Sequence, residues 1–317
     1  MNKYIVLRFY PVGITIKARL LYKLNPGLCE ILTKALPYKS VQCHALVAGQ
    51  QLYHYTPIVE AITYKAETKE DKTKQPIGRI NMSSLELLSI KYGVITEYLT
   101  SVPVAQVVDE DIEKLKKIGS LAWESVYKTK KIINVSVSLE GQNIPKDYIG
   151  LRRPKVAVSN KDLEDLVNRI YDECEFIWMT PPKDLMNIHK GKIKSEAGSY
   201  NQYFSTMVFV NGEVRQLGYN AFGGLLKSFS NQKISLRVAK ELPQPFSEVA
   251  AGFLGYCGLE KLNQFTQEAL IFSKKARSKK ELTQLYNALC IYANRLHGWS
   301  LHYFPWKHGK NYQFRLK

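Results

Sequence analysis

At 317 residues and 45% hydrophobic content, the chain is long enough to bury a sizeable core and to divide into two domains. No apolar run reaches the roughly 18 residues that a membrane-spanning helix requires. The formal charge of +17 favours anionic partners, yet the lysines are spread along the chain, densest at 114–117, 128–131 and 274–280 beside helical patterns. Solvated helix faces account for them better than a nucleic-acid groove does, and small carboxylated metabolites are the expected partners.

The chain begins in alternating sequence without the apolar stretch or cleavage site of a signal peptide, so a cytoplasmic location with no membrane partner is expected. Strands are predicted over Tyr4–Phe9 and Ile14–Leu20, the second alternating Ile14, Ile16, Ala18 and Leu20 against Thr15, Lys17 and Arg19. Asn25-Pro26 reads as an N-cap followed by proline at the first helical position, opening a helix to about Leu36, where Pro37 stops it. Further strands are expected over Val41–Ala48 and Gln51–Tyr55, followed by an exposed, charged loop over Lys65–Gln75. Leu85–Tyr92, Val102–Val108 and Ile132–Leu139 complete the strand set. Between the last two, Asp109–Lys130 places Ile112, Leu115, Ile118 and Ala122 on one helical face.

From Glu140 to Asn160 the periodicity dissolves into Gly, Pro and charge, and the domain boundary is expected there: residues 1–145 before it, 155–317 after. Beyond it, helical spacing dominates. Lys161–Ile177 carries Leu163, Leu166, Val167, Ile170, Tyr171 and Cys174 on one stripe, and Leu259–Lys275 repeats the pattern. Ser278 and Glu281 have the form of a capping box opening a helix through Leu296. One hairpin is expected among these helices, Tyr203–Val210 and Glu213–Tyr219 about Asn211-Gly212. The fold class is therefore α+β.

The motif search is informative in the negative. There is no G-x-G-x-x-G after a strand, no P-loop, no G-x-S-x-G and no H-E-x-x-H. The five cysteines are dispersed without a C-x-x-C pair and read as free buried thiols. Of the six histidines only His297 and His302 fall close together, and they read as tucked side chains after a helix C-terminus rather than metal ligands. No cofactor and no metal are expected. Two ionisable residues stand out in strand-like sequence. His44 lies in S-V-Q-C-H-A-L-V-A-G, and Glu86 alternates with Leu88, Ile90 and Tyr92, so its carboxyl is expected on their apolar face. A carboxyl so placed acquires a partner or a raised pKa; a carboxylate at a strand end in water is the competing reading.

The opening I-V-L-R-F, the A-R-L-L of Ala18–Leu21, Leu36-Pro37, C-H-A-L-V-A-G at Cys43–Gly49, I-K-Y-G at Ile90–Gly93 and I-G-S-L-A-W-E at Ile118–Glu124 resemble, in order and spacing, the small bacterial cyclophilin-like barrels. With the helical half appended, the whole chain is similar to the cucumopine and mikimopine synthases, opine-forming enzymes of plant-associated bacteria. The resemblance implies a cyclophilin-like β-barrel followed by a helical bundle. It also implies condensation of L-histidine with 2-oxoglutarate by a Pictet–Spengler cyclisation, without oxidation or reduction and without a nicotinamide.

The site residues follow from the demands of that chemistry. Proton transfer is assigned to His44 and Glu86, with Tyr92 as hydroxyl donor beside them. The three substrate carboxylates require cations, for which Arg79, Arg8 and Arg19 are the candidates, with Lys192 and Arg215 as contributors from the second domain. Arg79 is expected on the loop after Pro76-Ile77-Gly78. Arg8 and Arg19 lie opposite aliphatic faces, and for each taken singly a solvated face is the stronger reading. Trp299, with His302, Tyr303, Phe304 and Trp306, is expected to wall one side of the site or to pack in a core. A non-catalytic barrel that binds a peptide or small ligand is the competing function. A homo-oligomer is compatible with the sequence.

Overall fold

The computed structural model describes residues 3–82, 86–151, 153, 160–190 and 203–304, and divides into two compact units, Met1–Arg152 and Arg153–Lys317. Lys192 and Trp306 lie outside the described residues.

The first unit is built on strands β1 (Tyr4–Tyr10), β2 (Ile14–Leu20), β3 (Tyr38–Val41), β4 (Cys43–His44), β5 (Gly49–Tyr55), β6 (Glu70–Asp71), β7 (Arg79–Met82), β8 (Leu87–Ile95), β9 (Thr100–Ser101), β10 (Pro103–Val107) and β11 (Asn134–Leu139). Its helices are α1 (Pro26–Ala35), the single turn α2 (Glu60–Thr63) and α3 (Ile112–Glu124). Nine strands form one antiparallel sheet in the order β3-β11-β1-β2-β10-β7-β8-β5-β4. The two edge strands, β3 and β4, are consecutive in the chain and separated only by Gln42. A sheet whose edges are neighbours in sequence has curled into a nearly closed barrel, which disposes of exposed edges.

Gln42 forms the seam. Its backbone N–H donates to Ile133 O at 2.8 Å on the β11 side. Its side-chain Nε2 donates to Tyr53 O in β5 at 2.8 Å and to Cys43 O at 2.9 Å. Tyr38 of β3 reaches His54 of β5 across the same gap, with its hydroxyl 2.8 Å from His54 Nε2, while His54 Nδ1 lies 3.3 Å from Gln42 Oε1. Tyr38, Gln42 and His54 are all fully buried. Polar groups at such a depth persist because they satisfy one another.

Period-two alternation supplies the barrel interior: Ile5, Leu7 and Phe9 from β1, Ile16, Ala18 and Leu20 from β2, Leu88 and Ile90 from β8, Val135 and Val137 from β11. Helix α1 adds Leu28 and Leu32, and α3 adds Leu115, Ile118 and Ala122, so one continuous core spans sheet and helices. Each large side chain withdrawn from water contributes about 1.5–3 kcal/mol. Asn25 does not cap α1. Its side chain instead clamps the following loop, donating to Thr68 O and Pro103 O and accepting from Thr68 N.

Several strand boundaries differ from expectation. The run expected as Val41–Ala48 is broken at Gln42, because the chain leaves one edge of the sheet there and joins the other. Lys65–Gln75 is not simply an exposed loop: β6 pairs with β9, and the buried amide of Gln75 bonds to Asn81 and Ser101. The strand at Leu85–Tyr92 begins only at Leu87 and runs on to Ile95.

The second unit comprises α4 (Lys161–Trp178), α5 (Lys183–His189), α6 (Tyr203–Arg215), α7 (Gly223–Ser230), α8 (Leu236–Glu241), α9 (Pro243–Tyr256), α10 (Glu260–Lys275) and α11 (Lys279–Tyr303), with a wide π-helical segment over Gln216–Phe222. Helix α11 is buried on every side for most of its length, as the centre of a bundle must be. Ser278 caps it through Glu281 N at 3.2 Å, while the Glu281 carboxylate reaches back to Arg277 N at 2.8 Å. His297 and His302 lie within this helix rather than after it, and both are buried. Burial, aided by the charge of Arg215, brings the His297 pKa down to about 3.

The expected hairpin about Asn211-Gly212 is overturned: those residues lie inside α6. Met207, Val210, Val214 and Leu217 are buried at helical spacing, and Asn211 is tied to Ser300 of α11. Packing of that stripe outweighs the local turn preference of Asn-Gly. The five cysteines are all free and buried. Among the described residues no helix is long and apolar enough to cross a membrane.

The seam makes a stability prediction. Gln42→Leu keeps the volume but deletes the three side-chain amide hydrogen bonds and strands the polar groups around them, which should cost about 2–3 kcal/mol. A denaturant titration checks it. An unchanged midpoint would mean that the backbone ladder alone closes the barrel.

Candidate functional site

His44 follows the seam by two residues, and its position is fixed by pairing with Leu52 of β5, which in turn pairs with Ile90 of β8. Tyr92, two residues further along β8, therefore faces the same way as Ile90 and meets the imidazole. The Tyr92 hydroxyl lies 2.7 Å from His44 Nε2, and His44 Nδ1 lies 2.7 Å from Ala45 O. A carbonyl oxygen only accepts, so Nδ1 carries the proton of the neutral ring. Nε2 is then the acceptor, and the Tyr92 O–H donates to it. Burial lowers the His44 pKa, against the upward pull of the Ala45 carbonyl, and burial raises that of Tyr92. The couple is consequently a neutral phenol hydrogen-bonded to a neutral imidazole near neutral pH, with the imidazole as the base.

Helix α3 supplies the surroundings. Gly119, Trp123 and Tyr127 recur every four residues, and Tyr127 sits in a π-helical turn over Ser125–Thr129. The Tyr92 ring lies directly on Gly119, where an added Cβ would stand 2.6–2.7 Å from ring carbons. Trp123 presents its ring edge-on to His44, with centroids 5.1 Å apart, and packs on Tyr127 at 4.0 Å. Tyr127 stands edge-on to His44 at 6.1 Å. The imidazole is thus enclosed by three aromatic rings. A groove of about 450 Å³ opens over this corner, lined by Tyr92, Gln50, Ile77, Val94, Lys116 and Ser120. Tyr92 touches groove and imidazole at once, and can pass a proton from one to the other.

Glu86 does not join them. It precedes β8 in a left-handed conformation (φ 58°), which rotates it out of the expected alternation with Leu88. It is nevertheless buried, at 1% exposure, and its carbonyl accepts from Thr56 N at 2.7 Å and Thr56 Oγ1 at 3.2 Å. Its backbone lies at Thr56 and His44 lies at Leu52, four residues apart along β5, or roughly 13 Å. The side chain hydrogen-bonded to His44 Nε2 is that of Tyr92 rather than Glu86.

The arginines also stand elsewhere. Arg79 opens β7 rather than a loop, and its guanidinium is engaged by Glu70, with Nε 2.9 Å from Oε2 and Nη2 3.3 Å from Oε1. Arg8 alternates with the core residues Leu7 and Phe9, faces outward and donates to Ser138 Oγ at 3.0 Å. Arg19, flanked by core residues Ala18 and Leu20, is exposed. The alternation that fills the barrel with aliphatic side chains turns all three away from it. Trp299 is a core residue, at 0% exposure. Its indole N–H donates to Ile177 O at 2.7 Å, and its face receives the Arg295 guanidinium at 4.5 Å. The lysine missed by sequence reasoning is Lys116, on the groove. The missed aromatics are Trp123 and Tyr127, which an i, i+4 reading from Gly119 would have found. Among the described residues no group of three or more His, Cys, Asp or Glu is arranged to hold a metal.

Residues 163–303 match the cucumopine synthase C-terminal helical bundle domain. The solved structure of McbB in complex with tryptophan is similar over almost the whole chain: 43% identity, TM-score 0.93, covering 98% of this chain and 100% of that one. The solution structure of the hypothetical protein AF2241 from Archaeoglobus fulgidus aligns with 43% of this chain and 94% of its own at 13% identity and a TM-score of 0.30, too low to carry an argument. No curated protein matches the chain. On the extent and identity of the match to McbB, together with the helical-bundle domain, the chain belongs to the cucumopine synthase family.

Proposed function

We propose that the chain is a Pictet–Spengler-type opine synthase that condenses L-histidine with 2-oxoglutarate to a product of the cucumopine or mikimopine type. The observation that carries this reading is Tyr92, a residue of the groove wall whose hydroxyl is hydrogen-bonded to the basic nitrogen of a neutral, aromatic-enclosed imidazole. In the reaction the amine nitrogen attacks the keto carbon, the carbonyl oxygen leaves as water, and an iminium forms. A carbon of the substrate's imidazole then bonds to the iminium carbon and releases its proton, so no electrons are gained or lost. Tyr92 passes that proton to His44 Nε2, and in the reverse sense supplies one to the departing oxygen. Lys116 at the groove is the nearest candidate to steer a substrate carboxylate.

Tryptophan is the second reading for the amine, favoured by its presence in the McbB structure at 43% identity to this chain. Its indole carbon would close the ring by the same steps. Incubation with 2-oxoglutarate and either amino acid, without nicotinamide, separates the two. The expected product has the summed mass of the substrates less one water, with histidine the favoured partner. Absence of any such adduct leaves the non-catalytic ligand-binding reading in its place.

Two variants and a pH profile test the roles. Tyr92→Phe removes the relay and keeps the ring, and should lower kcat by about 10²-fold or more with the fold intact. Gly119→Ala favours the helix locally but pushes a methyl into the Tyr92 ring, and should lower kcat by about 10-fold without a fall in Tm of similar weight. His44 must be neutral to accept a proton, and its pKa lies below the ordinary 6.5. Activity should therefore persist below pH 6.5 and fall only as the pH drops through the lowered value. An acid limb at or above 6.5 would remove His44 from the mechanism.

A further inference from the structure

The helical unit has a cavity of its own, about 340 Å³, where α4, α5, α10 and α11 meet. Its charged lining is balanced: Glu173 and Asp184 against Lys183 and Lys261. Glu173 and Lys261 form an ion pair at 2.7 Å, with the Glu173 side chain only 16% exposed. Lys183 and Asp184 make no ion pair with any described residue. Phe176 and Leu296 supply the apolar part of the wall.

The informative member is Tyr292. It is 3% exposed, its ring packs edge-on against Phe265 at 5.7 Å, and it lines the cavity. Its hydroxyl has no hydrogen-bond partner among the described residues. Burial, followed by the carboxylate of Glu173, Cys174 and the carboxylate of Asp184, holds its pKa well above the ordinary value, so the group is a donor. Not being sealed from solvent, the hydroxyl is free to donate to water or to a ligand that enters the cavity.

We propose that this cavity binds a zwitterionic amino acid, its carboxylate received by the Tyr292 hydroxyl and the lysines, its ammonium by Glu173 and Asp184, and its side chain by Phe176 and Leu296. The ligand class follows from the charge pattern. A dianion or a diamine would face two like charges, and an uncharged apolar molecule would leave the hydroxyl without an acceptor. A zwitterion satisfies both signs and the donor. Its lining residues all belong to the second unit, and none of them lines the barrel groove. It goes beyond the catalytic reading and does not depend on it.

Hydrogen–deuterium exchange on the full chain tests it, with L-tryptophan and L-histidine as probes at millimolar concentration. Tryptamine, which lacks the carboxylate, and indole-3-propionate, which lacks the ammonium, serve as single-charge controls. The expected result is slower exchange over 172–178 and 289–296 with an amino acid, and at least about 10-fold weaker binding of each control. Tyr292→Phe should weaken binding about 5-fold while leaving Tm unchanged, because it removes only an oxygen. No protection in these segments, equal protection by either control, or unaltered binding by Tyr292→Phe each overturns the proposal. Failure of the condensation assay has no bearing on this readout, which is confined to the helical unit.

Discussion

A single buried amide determines where the chemistry of the barrel can stand. Antiparallel pairing carries the sheet around until its first and last strands are separated by one residue, Gln42, whose backbone bonds to one side and whose side chain bonds to the other. Because β4 is only two residues long, His44 has almost no freedom once that seam is closed. Its partner Leu52 sets its register, and the register sets its distance to Tyr92. Loss of the seam would free an edge strand and scatter the couple together, so barrel closure and the His44–Tyr92 contact share one constraint.

The couple itself is an instance of environment setting role. A histidine in water near neutral pH divides between two protonation states, and a tyrosine there is only a weak acid. Here the Ala45 carbonyl accepts a hydrogen bond from Nδ1–H and fixes the tautomer, while burial favours the neutral ring and the protonated phenol. Both effects point Nε2 at the hydroxyl as a base. The aromatic enclosure by Trp123 and Tyr127 depends on a helix that widens at Ser125–Thr129, a local departure from regular geometry of the kind often found beside functional sites.

The legible part of this molecule was the part governed by periodicity. Alternation located β1 and β2, and helical spacing located α4, α10 and α11, because in each the core face is continuous over several turns or pleats. His44 and Tyr92 were legible as polar residues in strand-like sequence, and they do meet. The burial of Glu86 was legible and is borne out at 1% exposure, whereas its left-handed backbone was not, because sequence announces such a conformation chiefly through glycine or asparagine. The hairpin was misread because Val, Phe and an Asn-Gly pair suit a β-hairpin locally, whereas the stripe Met207, Val210, Val214 and Leu217 is buried only in the assembled bundle, against α11 and α9. The break at Gln42 was invisible for a related reason: nothing local distinguishes a strand that continues from one that changes sheet edges.

The fate of the arginines bears on how carboxylated substrates could be held. In a barrel packed by alternation, each residue beside a core position points outward, and Arg8, Arg19 and Arg79 obey that rule together. Arg79 is further neutralised by a two-point contact with Glu70, so redirecting it inward would cost both that pairing and the desolvation of a guanidinium. Long flexible lysines carry no such constraint. Lys116 projects from α3 beside Tyr92 on the groove, and its partner Glu113 is a solvent-exposed i, i+3 neighbour whose competition is weak. An anion at this corner is therefore best met by a mobile ammonium at the rim, beside the buried imidazole–phenol couple.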